Sequence, residues 1–155
     1  MALVRILVDG YSLLHSWTEL AAGAARHSEK ARDALIEMLQ HYQDTSGTPV
    51  TVFFDGSGAR RKPQKLSGPA VEVLFSSGGQ TADDLIERAA HRFEPYGEVL
   101  VVTDDLAERD TVTAFGASVA GCDNFIRMIE GVLADLQEDL ERHNRAARNA
   151  FRRSH

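Results

Sequence analysis

Four short apolar runs, separated by segments of helical periodicity, restrict this sequence more than any other feature. Residues 3–8 form a nearly continuous run broken by Arg5, and residues 50–54, 71–75 and 99–102 form the others. Runs of this length, rich in β-branched residues and flanked by turn formers such as Gly47-Thr48-Pro49 and Asp55-Gly56, suit strands covered on both faces, as in a parallel sheet. In residues 28–45, Ala31, Ala34, Leu35, Met38, Leu39 and Tyr42 recur at three and four, giving a helix with one apolar face. Ala82, Leu85, Ile86, Ala89, Ala90 and Phe93 do the same over 81–93. A shorter helix is expected over 106–115. A long one is expected over 125–151, apolar-periodic in its first half and Arg-rich in its second. Strands alternating with helices predict an α/β domain with helices on both faces of a mostly parallel sheet.

Ligands of such folds bind beyond the carboxyl ends of the strands, and acids collect there. Asp9 follows the first run, Asp55 the second, and Asp104 and Asp105 the fourth; Asp83, Asp84 and Glu87 open the helix after the third. Like charges gathered at one edge repel unless a cation neutralises them. Oxygen donors without nearby His or Cys favour Mg²⁺ or Mn²⁺. Such an ion can bind a phosphodiester and activate water. Each acid taken singly also has a structural explanation. Asp55-Gly56 is an ordinary turn dipeptide. Thr81 to Asp84 reads as a capping box, Asp105 to Glu108 as a helix cap, and Asp84 with Arg88 as a one-turn pair. Asp9 is the hardest to dismiss, because it ends a buried strand, where an unpartnered charge is costly.

Other chemistries fit less well. No Gly-x-Gly-x-x-Gly or Walker A pattern is present. Asp9 lacks the second aspartate two residues on that a haloacid-dehalogenase phosphatase carries. The only lysines, Lys30, Lys62 and Lys65, do not follow a late strand as a receiver domain requires. One cysteine, Cys122, excludes an internal disulfide framework and a Cys-based zinc site, so a reducing cytoplasm is the expected setting. No apolar stretch is long enough to span a membrane, and 155 residues with 43% apolar content suffice for one sizeable core.

The ordered set of motifs resembles a known family. Ile6-Leu7-Val8-Asp9-Gly10-Tyr11-Ser12, Phe53-Phe54-Asp55-Gly56, the run at 71–75, Thr81-Ala82-Asp83 and Val102-Thr103-Asp104-Asp105 occur in the order and spacing of bacterial YacP-like NYN-domain proteins, of the PIN-like nuclease superfamily. The resemblance covers residues 3–130. It implies a three-layer α/β/α PIN-like fold over residues 1–130, with a helical extension and basic tail over 131–155. It also implies divalent-metal-dependent endoribonuclease activity, with ribosome-engaged mRNA as a candidate substrate. Carried over by position, Asp9, Asp83 and Asp105 are the metal-binding and catalytic acids. Asp55 and Glu87 support them, and Asp104, where relatives often have Ser, is a further candidate ligand. Ser12 stands where the family usually has Asn; a hydroxyl still hydrogen-bonds, with shorter reach, so it remains a candidate RNA contact.

RNA contacts are expected from the basic stretch Arg60-Arg61-Lys62-Pro63-Gln64-Lys65, just past Asp55, and from the flexible loop Ser76-Ser77-Gly78-Gly79-Gln80. Tyr11 and Trp17 could stack on bases or pack on the sheet. Charge is unevenly placed: all 23 acids precede residue 142 and face 12 bases there, a balance of -11, whereas five Arg and no acid follow, a balance of +5. Arg142, Arg145, Arg148 and Arg152 form a helical stripe that could grip RNA or a ribosome, or simply be solvated. Alongside the nuclease reading stands a catalytically inactive RNA- or ribosome-binding module of the same fold. Oligomeric state is open.

Overall fold

The computed structural model describes residues 3–20, 22–25, 27–56 and 70–154. Its strands are β1 (Leu3–Asp9), β2 (Val50–Phe54), β3 (Glu72–Phe75), β4 (Glu98–Val102) and β5 (Ser118–Ala120). Its helices are α1 (Gly10–Ser16), α2 (Glu29–Ser46), α3 (Ala82–Phe93), α4 (Leu106–Ala114) and α5 (Cys122–Ser154). The strands form one sheet in the order β3-β2-β1-β4-β5, and every pairing is parallel. β1, β2 and β4 are apolar because helices cover both sides of them. Every residue of β2 is buried. One helix and one strand were not expected from the pattern: α1, and β5, which the long helix follows directly.

Each face carries its own core. On one, Leu13, Leu14 and Trp17 around α1, Leu35 and Leu39 of α2 and Phe125 and Ile129 of α5 pack on Ile6, Val8, Val52 and Phe54. Trp17 is therefore a core residue, 8% exposed, and not a stacking platform. On the other face, Ile86 and Ala90 of α3 and Val112 of α4 pack on Leu7, Phe53 and Val101. Local signals set the helix ends. The Ser28 hydroxyl accepts from the Ala31 amide at 3.1 Å to start α2, and Gly47, at φ 76°, stops it. The Gln43 side chain of α2 then accepts from the Val50 amide at 2.8 Å, fixing where β2 begins.

The strand order places the site. The chain builds outward from β1 through β2 to β3, then returns to β4 on the other side of β1. The carboxyl ends of β1 and β4 thus flank the point where winding reverses, the position that binds ligands in open α/β sheets. Val8 pairs with Val102, so the residues just beyond, Asp9 and Thr103, stand level. Helix α5 continues unbroken past residue 130. From residue 134 to residue 153 every position is exposed.

Candidate active site

Asp9 closes β1 and caps α1, its carboxylate accepting from the Ser12 amide at 3.3 Å. The turn is tight because residue 10 is glycine: a Cβ there would overlap the Phe54 ring and lie 2.9 Å from the Phe53 carbonyl oxygen. Burial pushes the Asp9 carboxyl from its ordinary 3.8 up to about 6. The Ser12 amide opposes this, Asp83 and Asp55 add to it, and the Thr103 hydroxyl opposes it. Asp55, just past β2, accepts from the Ala82 amide at 2.6 Å and from the Ser76 hydroxyl at 3.4 Å, tying the first turn of α3 to the sheet edge.

Asp83 stands in that first turn. Burial raises its carboxyl, and so do the charges of Asp105, Asp55, Glu87 and Asp84. Its neighbour Asp84 is spent on the capping box: Thr81 and Asp84 exchange hydrogen bonds of 3.0 and 3.1 Å. Asp105 caps α4, accepting from the Ala107 and Glu108 amides at 3.0 and 3.2 Å. Asp9, Asp55, Asp105 and the α3 pair Asp83 and Glu87 thus reach one edge of the sheet from four segments.

Asp104 has different company. Its carboxylate accepts from the Cys122 amide and the Ser16 hydroxyl, both at 2.9 Å. Burial works to raise it, but these bonds and nearby Arg109 outweigh burial and hold it below the usual carboxylate range. These bonds join α1, β4 and α5 through Asp104. Ser12 belongs to the same junction: its hydroxyl accepts from the Asp104 amide at 3.3 Å and lies 3.5 Å from the Cys122 sulfur. Burial pushes the Cys122 thiol up to about 12, so it is no thiolate ligand at neutral pH. Arg60, Arg61, Lys62 and Lys65 lie outside the described residues.

Two residues escaped the sequence reading. Thr103, fully buried at the end of β4, bonds Asp9 with its hydroxyl and also accepts from the Asp105 amide at 3.2 Å. One side chain therefore positions two of the acids. Glu108 is 4% exposed, with one carboxyl oxygen buried and without a hydrogen-bond partner. Burial, a hydrogen bond with Glu87 and the charges of Asp83, Glu87 and Asp105 raise its carboxyl from 4.5 to about 9, so it is protonated at neutral pH. Its sequence signal was the spacing of three from Asp105, which fits a cap equally well.

The donors are carboxylate oxygens, the chemistry a hard divalent cation takes. Among the described residues, however, no three acidic, His or Cys side chains already stand as a group able to hold an ion. Cation binding therefore requires the acids to draw together from the arrangement seen here.

Residues 6–154 match the family model of the YacP-like NYN domain. The chain belongs to this family. YacP of Bacillus subtilis (strain 168) is 31% identical over 128 residues, covering 82% of this chain and 75% of that protein. The crystal structure of Rae1 (YacP) from Bacillus subtilis superposes with a TM-score of 0.75 at 28% identity, covering 92% of this chain and 81% of that one. A single-substitution mutant of it gives 0.74, covering 89% and 81%. The YacP-like NYN assignment gives the chain an RNase-type fold, and the acids at the β1/β4 edge are its candidate active site.

Proposed function

We propose that this YacP-like NYN chain is a divalent-metal-dependent endoribonuclease that hydrolyses RNA phosphodiester bonds. The observation that carries the reading is the electrostatic convergence on Asp83, whose carboxyl is raised by burial, by Asp105 and Asp55 from two other segments, and by Glu87 one turn along its own helix. Four strand and helix ends deliver charge to one place, which a fold keeps only at a cost in stability. Asp9, Asp83 and Asp105 would hold Mg²⁺ or Mn²⁺, with Asp55 and Glu87 as supporting acids. A cation held there would neutralise charge on the phosphodiester and make water a stronger nucleophile. The chain's own part is positioning. Thr103 orients Asp9 and Asp105, the Ala82 amide orients Asp55, and protonated Glu108 hydrogen-bonds Glu87 without adding another charge.

The exposed stripe Arg142, Arg145, Arg148 and Arg152, on the far half of α5, favours a second reading: an RNA- or ribosome-binding module without cleavage. One experiment separates the two. Labelled RNA is incubated with Mn²⁺ and either the wild type or Asp9→Asn, with and without ribosomes. Cleavage by the wild type alone supports the nuclease. Intact RNA in every lane, with binding retained, leaves the binding module. Cleavage only with ribosomes present makes ribosome-engaged mRNA the substrate.

A further inference from the structure

A cleft of about 410 Å³ opens beside the acids, lined by Gln80, Asp84, Glu87, Arg88, His91 and Phe115. It begins at the acid cluster, because Glu87 belongs to both. Asp83, Glu87 and His91 follow at intervals of four along α3, so the cleft leads about 12 Å away from Asp83 at 1.5 Å per residue. At its far end Phe115, which caps α4, is 39% exposed. The His91 ring meets it edge-on, with centroids 5.8 Å apart. With the Gln80 amide turned so that its oxygen faces Arg88, that oxygen accepts from both guanidinium nitrogens at 3.2 and 3.0 Å. The planar cation is thereby held in the wall of the cleft.

A part-exposed aromatic ring, a fixed planar cation and an amide make a surface for a flat, polar heterocycle, which stacks on the ring and hydrogen-bonds at its edge. Asp84 and Glu87 also line the cleft, and their charges disfavour a phosphate there. The occupant must be the uncharged part of a nucleotide, its backbone lying outside toward the acids. We infer that the cleft between α3 and α4 is a nucleobase subsite, holding one base of the RNA strand whose scissile phosphate lies at Asp9, Asp83 and Asp105. This rests on the reading of the acid edge as RNA-facing.

The test measures binding apart from cleavage. In the Asp9→Asn full-length protein, affinity for a short fluorescent single-stranded RNA is read by anisotropy, with circular dichroism to check folding. Adding Phe115→Ala should weaken binding about tenfold or more, the scale of one base–aromatic stack. Phe115→Tyr should restore it. An abasic nucleotide scanned along the RNA should weaken binding at one position, and that loss should vanish in Phe115→Ala, because both changes remove the same contact. Unchanged affinity in a folded Phe115→Ala protein overturns the subsite, and so do abasic and Phe115→Ala losses that add in full. Binding that depends on Phe115 without cleavage by the wild type would sink the hydrolase and leave the subsite standing. Cleavage indifferent to Phe115 would do the reverse.

Discussion

Asp9→Asn should make the protein more stable at neutral pH while abolishing cleavage. The Asp9 carboxyl is lifted from 3.8 to about 6, chiefly by burial. A carboxyl whose folded-state pKa lies above its unfolded value binds its proton more tightly in the folded state. The resulting penalty is absent below about pH 3.8, grows between there and pH 6, and is complete above pH 6. A rise of about 2.2 pH units at 1.36 kcal/mol each corresponds to at most about 3 kcal/mol. Asn keeps the cap oxygen that accepts from Ser12 and carries no charge, so about 1.5–3 kcal/mol should be recovered at pH 7.5. In a domain of this size that raises the melting temperature by about 4–10 °C. The assay is denaturant unfolding of both proteins in EDTA at pH 7.5 and again near pH 3.5. Equal or lower stability of Asp9→Asn at pH 7.5 would refute the reasoning, as would a gain that persists unchanged at the acid pH. Mn²⁺ should narrow the difference at neutral pH by stabilising the wild type through binding.

Other perturbations probe separate parts of the construction. Glu108→Gln should fold normally and gain stability relative to the wild type as pH rises from 4.5 to about 9, because the raised Glu108 carboxyl loses its proton only at the top of that range; unfolding curves across pH read this. Gly10→Ala should cost about 1–3 kcal/mol by forcing a methyl against the Phe54 ring, measured by urea denaturation. Gln43→Leu should cost about 1–3 kcal/mol, because it removes the acceptor of the buried Val50 amide; amide exchange at Val50 should accelerate alongside the stability loss.

The sequence revealed those parts of the fold that repeat a pattern. β2 matches its apolar run at both ends because every residue is buried, and α2 and α3 match theirs because Ser28, Gly47 and Thr81 mark the ends chemically. Helix α1 was hidden because it spans only seven residues and opens with glycine. β5 was hidden because three edge residues, Ser118, Val119 and Ala120, are too few to show a period. The acids were legible for the same reason as the strands: a charge directly after a buried run stands out. Asp104 and Asp105 were not separable, since only the packing of α5 turns one toward Cys122 while the other caps α4. Glu108 and Thr103 depend on tertiary contacts. Nothing local marks a glutamate that α4 presses against Glu87, or a threonine whose hydroxyl serves two strand ends.

Helix α5 gives the molecule a polarity of shape as well as of charge. Beyond residue 133 it runs exposed for about 30 Å at 1.5 Å per residue; Asp135, Glu138, Asp139 and Glu141 occupy its nearer part, and all five terminal arginines lie past them, beyond residues 1–141 with their balance of -11. A polyanion therefore meets a long electric dipole, attracted at one end and repelled at the other, which orients the protein before any contact forms. Arrival is tail first, and the torque fades as salt shortens the Debye length toward 8 Å at physiological strength, well below the reach of the helix. The helix acts as an antenna for orientation, so shortening it should slow encounter at low salt far more than at high salt.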